Sequence, residues 1–145
     1  MPSTLKRPKR VADPFTLGLD VENPIEVHKA ILAGFPFSAF AAFEKASGLK
    51  RNRLAKLLAI GERTLDRRQK EKKLQAEESE RLYRLATLFR RALELFNGDR
   101  EAAARWLEAP RPALGGEVPL ELAKTEIGAR RVEALIWQLE HGVFV

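Results

Sequence analysis

The stretch Arg51-Asn-Arg-Leu-Ala-Lys-Leu-Leu-Ala-Ile-Gly-Glu-Arg-Thr-Leu-Asp-Arg-Arg-Gln-Lys70 decides the fold. It reads as two short helices, over 51–59 and 62–72, joined by a tight turn. Leu54, Ala55, Leu57 and Leu58 fall on one side of the first helix at helical spacing. Two short helices crossing steeply around one small core need a small residue at the crossing, and Ala55 supplies it. Ile60 plugs the turn and Leu65 anchors the second helix. Arg63, Thr64, Arg67, Arg68 and Lys70 are then left to face outward. The pattern is that of a helix-turn-helix. One position departs from it: the turn residue often held by Gly is Ala59. Alanine tolerates a left-handed backbone poorly, so a longer or differently shaped turn is expected there.

The residue types on the second helix suit DNA. Its first turn would point at base edges, where arginine bridges O6 and N7 of guanine. Thr64 suits a phosphate or a thymine methyl. Lys50, Arg51 and Arg53, at the start of the preceding helix, suit phosphates, which set register rather than sequence. The expected DNA-binding set is therefore Lys50, Arg51, Arg53, Arg63, Thr64, Arg67, Arg68 and Lys70. Asp66 also faces outward and would repel phosphate unless Arg63 or Lys70 pairs with it.

The charge distribution agrees with this placement. The chain has 145 residues and a formal net charge of +6. Residues 1–10 carry +4, 11–47 carry −3, 48–73 carry +7 and 74–145 carry −2. Concentrated cations are the footprint of a polyanion binder, because each neutralised phosphate releases condensed counterions. A solvated helix face would look the same from charge alone.

Other classes of function find little support. There is no Cys, and the two His residues, His28 and His141, lie at opposite ends. Neither a disulfide nor a zinc site is expected, and no cofactor is implied. The four Ser residues are scattered, and no acid, base and nucleophile come together as an enzyme requires. No apolar run approaches the roughly 18 residues of a membrane span. The basic start lacks the apolar core of a secretory signal. A soluble, cytoplasmic, non-enzymatic protein is expected.

Outward from the motif, the rest of the chain reads as helices. Pro2, Pro8 and Pro14 make 1–20 a mobile basic arm. Asn23-Pro24-Ile25-Glu26 is a helix start with a capping-box pattern, and Gly34 ends that helix. After the breaker Phe35-Pro36-Phe37, Ser38 would cap a helix carrying Phe40, Ala41, Phe43 and Ala46. This Phe cluster reads as core. Leu82, Leu85, Ala86, Phe89, Leu93 and Phe96 mark a long helix from about Glu77 to Phe96. Asn97-Gly98 stops it. Asp99 caps a helix with Trp106 and Leu107, and Pro110 to Gly116 form a loop that no helix crosses. Thr125 opens a last helix with Ile127, Val132, Leu135, Ile136 and Leu139, which Gly142 ends. The expected class is all-α. The expected domains are an arm over 1–20, a helix-turn-helix domain over 21–74 and a C-terminal helical domain over 75–145.

An ordered succession in the second half carries further information. It runs Arg63-Thr-Leu-Asp-Arg-Arg, Glu77-Glu-Ser-Glu-Arg-Leu, Trp106-Leu, Ala113-Leu-Gly-Gly with Pro119-Leu, Thr125-Glu-Ile-Gly128, and Glu140-His-Gly-Val-Phe. This resembles the Xre/MbcA/ParS antitoxin family over roughly residues 25–145. The resemblance implies a two-part antitoxin. Its helix-turn-helix would repress its own operon, and its C-terminal part would bind a RES-type toxin that consumes NAD or transfers ADP-ribose. It also implies a homodimer within a larger toxin–antitoxin complex. The implied toxin-binding residues are Leu114, Gly115, Gly116, Leu120, Glu140, Gly142, Val143, Phe144 and Val145, with the C-terminal end near the toxin active site.

The residues have readings of their own. Leu114-Gly115-Gly116 permits a tight backbone path, because glycine accepts positive φ, and a plain turn between helices needs no more. The apolar end Val143-Phe144-Val145 either folds back onto the core or inserts into a partner. The alternative function is a stand-alone helix-turn-helix transcription factor whose C-terminal half dimerises or senses a ligand.

Overall fold

A computed structural model describes residues 13–142. The expected arm residues 1–12 and the tail Val143, Phe144 and Val145 lie outside the described residues. The described chain is helical: α1 (Pro24–Ala33), α2 (Phe37–Ser47), α3 (Arg51–Leu57), α4 (Glu62–Glu71), α5 (Ala76–Leu95), α6 (Arg100–Glu108), α7 (Pro119–Leu122) and α8 (Glu126–His141), with a 3-10 turn at Pro112–Leu114. An isolated antiparallel bridge, Pro36 with Lys73, is the sole β pairing among the described residues.

The helix starts follow local chemistry at three places. Asn23 accepts from the Glu26 amide at 3.1 Å, Asp99 from Ala102 at 3.1 Å and Thr125 from Gly128 at 3.0 Å, each satisfying an orphan donor of the first turn. The box at α1 does not close on itself, because the Glu26 carboxylate accepts from the Asp20 amide at 2.7 Å instead. Ser38 is not the cap of α2. Pro36 occupies that position, and Ser38 lies inside the helix. The reason is tertiary: the Phe37 amide donates to Lys72 O at 3.0 Å and the Leu74 amide to Phe35 O at 2.8 Å, which sets where the chain enters α2.

Helix α5 is the spine. Leu82, Leu85, Ala86, Leu88, Phe89 and Ala92 are buried along it. It packs against α1 and α2 and against α6 and α8. A continuous core therefore runs from Phe15 and Phe43 through α5 to Leu120 and Ile136, and one helix serves both halves of the chain.

Two expectations change. Asp13–Asp20, read as part of a mobile arm, fold onto the body. Phe15 is buried against Phe43 and Phe89, and its carbonyl accepts from Arg90 at 2.7 Å. One aromatic ring seated in a core outweighs the surrounding polar and proline residues. Ile127 was expected in the buried stripe of α8 but is 81% exposed. The stripe that packs is Ala129, Val132, Leu135 and Ile136, and Ile127 falls on the opposite side of the helix.

At the α7–α8 corner the chain approaches itself closely. A Cβ on Gly128 would lie 2.0 Å from Leu122 O, so only glycine fits there. Among the described residues, no helix is long and apolar enough to cross a membrane.

Candidate functional site

Helices α3 and α4 cross as expected. Leu54, Ala55, Leu57, Leu58, Ile60 and Leu65 are all buried. The turn keeps its compact form despite Ala59, which takes a left-handed backbone with φ of +56°. The longer turn expected there does not occur. The Ile60 amide donates to Ala55 O at 2.8 Å, and burial of Ile60 holds Ala59 in its strained conformation. Such strain costs on the order of 1 kcal/mol.

Helix α4 has two unlike faces. Arg63, Arg67 and Lys70 are exposed and fall within one narrow stripe at spacings of four and three. None makes a hydrogen bond or ion pair among the described residues. Thr64 sits half-buried beside them. The opposite face carries Leu65 and, against expectation, Arg68. The Arg68 Nε donates to Glu78 Oε1 at 2.8 Å, and an Nη lies 3.3 Å from Glu71. Both Arg68 and Glu78 are buried. Glu78 also accepts from the Gln75 amide at 2.8 Å, so one carboxylate caps α5 and holds α4. The hydrogen bond that Arg68 donates to Glu78 raises the guanidinium's pKa further, outweighing desolvation. Arg68 is a fastener between α4 and α5, not an outward reader.

The start of α3 is corrected in the same way. Arg51 donates to Glu44 at 2.8–3.2 Å and to Gln69 at 3.3 Å, and its guanidinium lies over Phe37 and Phe40. It braces α2, α3 and α4. Arg53 reaches into the second half of the chain. It pairs with Glu108 of α6 at 2.8 Å and with Glu121 of α7. Its charge is stabilised chiefly by the bond to Glu108. Glu121 is held below the usual carboxylate range, first by Lys124 and then by Arg53. Lys50 alone of these three is exposed without a partner among the described residues. Asp66 pairs with neither Arg63 nor Lys70; the charge it acts on is Arg51.

In the second half, Leu114 and Leu120 are buried in the chain's own core, so their side chains shape the surface from within. Gly115 and Gly116 are exposed with φ of +67° and +83°, the tight path expected of them. Arg131 ties this loop to α8 by donating to Ala113 O at 2.9 Å. Glu140 and Gly142 are exposed at the far end of α8. From Arg131 to Glu140 the helix rises about 14 Å, so the loop and the C-terminal end are separate places on one helix. Between them α8 exposes Trp137, 54% accessible and stacked on His141 at 4.2 Å, and before Arg131 it exposes Ile127. Sequence reasoning missed Trp137. Its position on the helical wheel opposite Val132 and Ile136 was the available signal.

Comparison with known proteins places both halves. Residues 26–87 match the family model for the antitoxin Xre-like helix-turn-helix domain, and residues 91–142 that for the antitoxin Xre/MbcA/ParS C-terminal toxin-binding domain. The division falls within α5. The chain is 32% identical to an Antitoxin Xre of Yersinia enterocolitica and 30% identical to one of Photorhabdus laumondii, each over 88% of this chain and 87% of the relative. It is 27% identical to an Antitoxin Xre of Pseudomonas putida over 85% of this chain and 76% of that protein. With an all-helical body, an Xre-like helix-turn-helix and a C-terminal toxin-binding domain after it, the chain belongs to the Xre antitoxin family.

Proposed function

We propose that the protein is the antitoxin of a type II toxin–antitoxin system, with no enzymatic activity of its own. It neutralises a RES-type toxin by direct binding through its C-terminal half and represses its own operon through the helix-turn-helix. The observation that carries the DNA part is the unpartnered cationic stripe Arg63, Arg67 and Lys70 on α4, flanked by Thr64 and Lys50. Cations with no carboxylate partner keep their charge for phosphate and base edges.

The toxin part rests on the family domain over 91–142 and on the outer face of α8. Ile127 and Trp137 are separate apolar side chains that the chain itself leaves uncovered. Trp137 lies within one turn of Glu140 and leads to Gly142 and the apolar tail Val143 to Val145, which would approach the toxin's active site. Gly115 and Gly116 would form a second contact at the other end of the helix. The exposed pair Ile25 and Leu32, one heptad apart on α1, offers a surface for the homodimer.

Co-expression with a RES-domain toxin tests the reading. The full chain should relieve toxicity, and a chain lacking Val143 to Val145 should relieve it less while binding operator DNA unchanged. Persistent toxicity in the presence of folded full-length chain would sink the antitoxin reading. A stand-alone transcription factor would bind its operator and leave toxicity as it was.

A further inference from the structure

Most cations of the C-terminal half are held by other groups of the chain. Arg90 donates to Phe15 O, Arg111 to Trp106 O and Arg131 to Ala113 O. Arg91, Lys124 and Arg130 sit against carboxylates of the same half. Two arginines on α6 differ. Among the described residues, Arg105 is exposed with no hydrogen bond, ion pair or ring contact, and Arg100 is exposed over the Phe15 ring with no carboxylate partner.

Both lie along one cleft of about 350 Å³, whose other wall is Lys45 to Gly48 at the end of α2. Lys45 is exposed and, among the described residues, unpaired as well. The cleft thus holds three cations with no carboxylate partner among the described residues, against one carboxylate, Glu101. Its α2 wall runs directly into Lys50, the free cation at the start of α3. The ion pair between Arg53 and Glu108 fixes this arrangement. Glu108 lies one turn beyond Arg105 on α6, and Arg53 draws that turn against the first helix of the helix-turn-helix.

We propose that this α2–α6 cleft is a second contact for the phosphate backbone of duplex DNA, with Arg105, Lys45 and Arg100 extending the surface that begins at Lys50. The inference rests on the DNA-binding reading above and adds to it that the toxin-binding half itself touches DNA. The contact is sequence-independent, since these side chains stand outside the helix-turn-helix and would meet phosphate oxygens, not base edges. It adds affinity that falls steeply with salt.

The test uses the full chain with two duplexes of equal length: the region upstream of its own gene, and a scrambled sequence. Binding is followed by fluorescence anisotropy over a salt series. Replacing both Lys45→Gln and Arg105→Gln should lower the salt slope by about two units, one per lost contact, on both duplexes alike. Arg105→Lys should retain the parent slope, because the charge is kept. Thermal midpoints report that the exposed changes leave folding intact. An unchanged slope in the double variant, while Arg67→Ala still lowers it, would overturn this inference and leave the α4 reading standing. A loss confined to the upstream duplex would also overturn it, since phosphate contacts do not discriminate sequence. If the parent chain bound neither duplex, both readings would fail together.

Discussion

On the outer face of α4, Arg63, Arg67 and Lys70 have no carboxylate within reach, whereas on α5 and α8 Arg91 and Arg130 each sit against an acid of the same half. The two regions carry similar numbers of bases in sequence but differ in what those bases can do. A paired arginine presents little net field to a partner, and an unpaired one presents its full charge. The +7 block over 48–73 therefore overstates the free positive surface: Arg51, Arg53 and Arg68 are each tied into the body. What remains is narrower and more clearly aimed.

The sharpest way to test that contrast is at two adjacent residues. Arg68→Ala strands a buried Glu78 carboxylate and should cost on the order of 3 kcal/mol, read as a lowered denaturation midpoint. A loss below about 1 kcal/mol would mean that Arg68 is not a fastener. Next in size is Gly128→Ala, whose new methyl would meet Leu122 O. It should destabilise the chain by about 2 kcal/mol through overpacking at the α7–α8 corner, and wild-type stability would show that the corner can open freely. Arg67→Ala stands on the other side of the comparison. It should change stability by less than about 0.5 kcal/mol while lowering the salt slope of operator binding by about one unit. An unaltered slope would remove Arg67 from the DNA surface.

The smallest effect concerns the link between the halves. Glu121 is held below its ordinary value near 4.5 by Lys124 and Arg53. Folding therefore favours the ionised carboxylate. That contribution is complete above about pH 4.5 and disappears as pH falls through the lowered folded value. Glu121→Gln should accordingly lose less stability than the parent on acidification from roughly pH 5 to pH 3. Coincident pH profiles of the two chains would show that this carboxylate adds nothing to folding.

Much of the fold was legible because its signals are local. Asn23, Asp99 and Thr125 satisfy donors three residues away, and Leu54, Leu58, Ile60 and Leu65 bury themselves by a period that any reader can count. The candidate surface was legible only in part. Arg67 and Arg68 are neighbours of the same chemistry, and nothing within α4 distinguishes them. The difference is made by Glu78, ten residues on, brought back by the start of α5.

Composition and periodicity by themselves determined that the chain is helical and that a helix-turn-helix lies between Arg51 and Lys70. These follow from backbone preferences and from the spacing of apolar side chains along one helix. The tertiary structure decided which cations stay free, that Phe15 belongs to the core, that Ile127 and Trp137 do not, and that Arg53 joins the halves. Each of those depends on a partner distant in sequence. Whether a charge or a ring is satisfied is a property of its neighbours in space, and only packing supplies them.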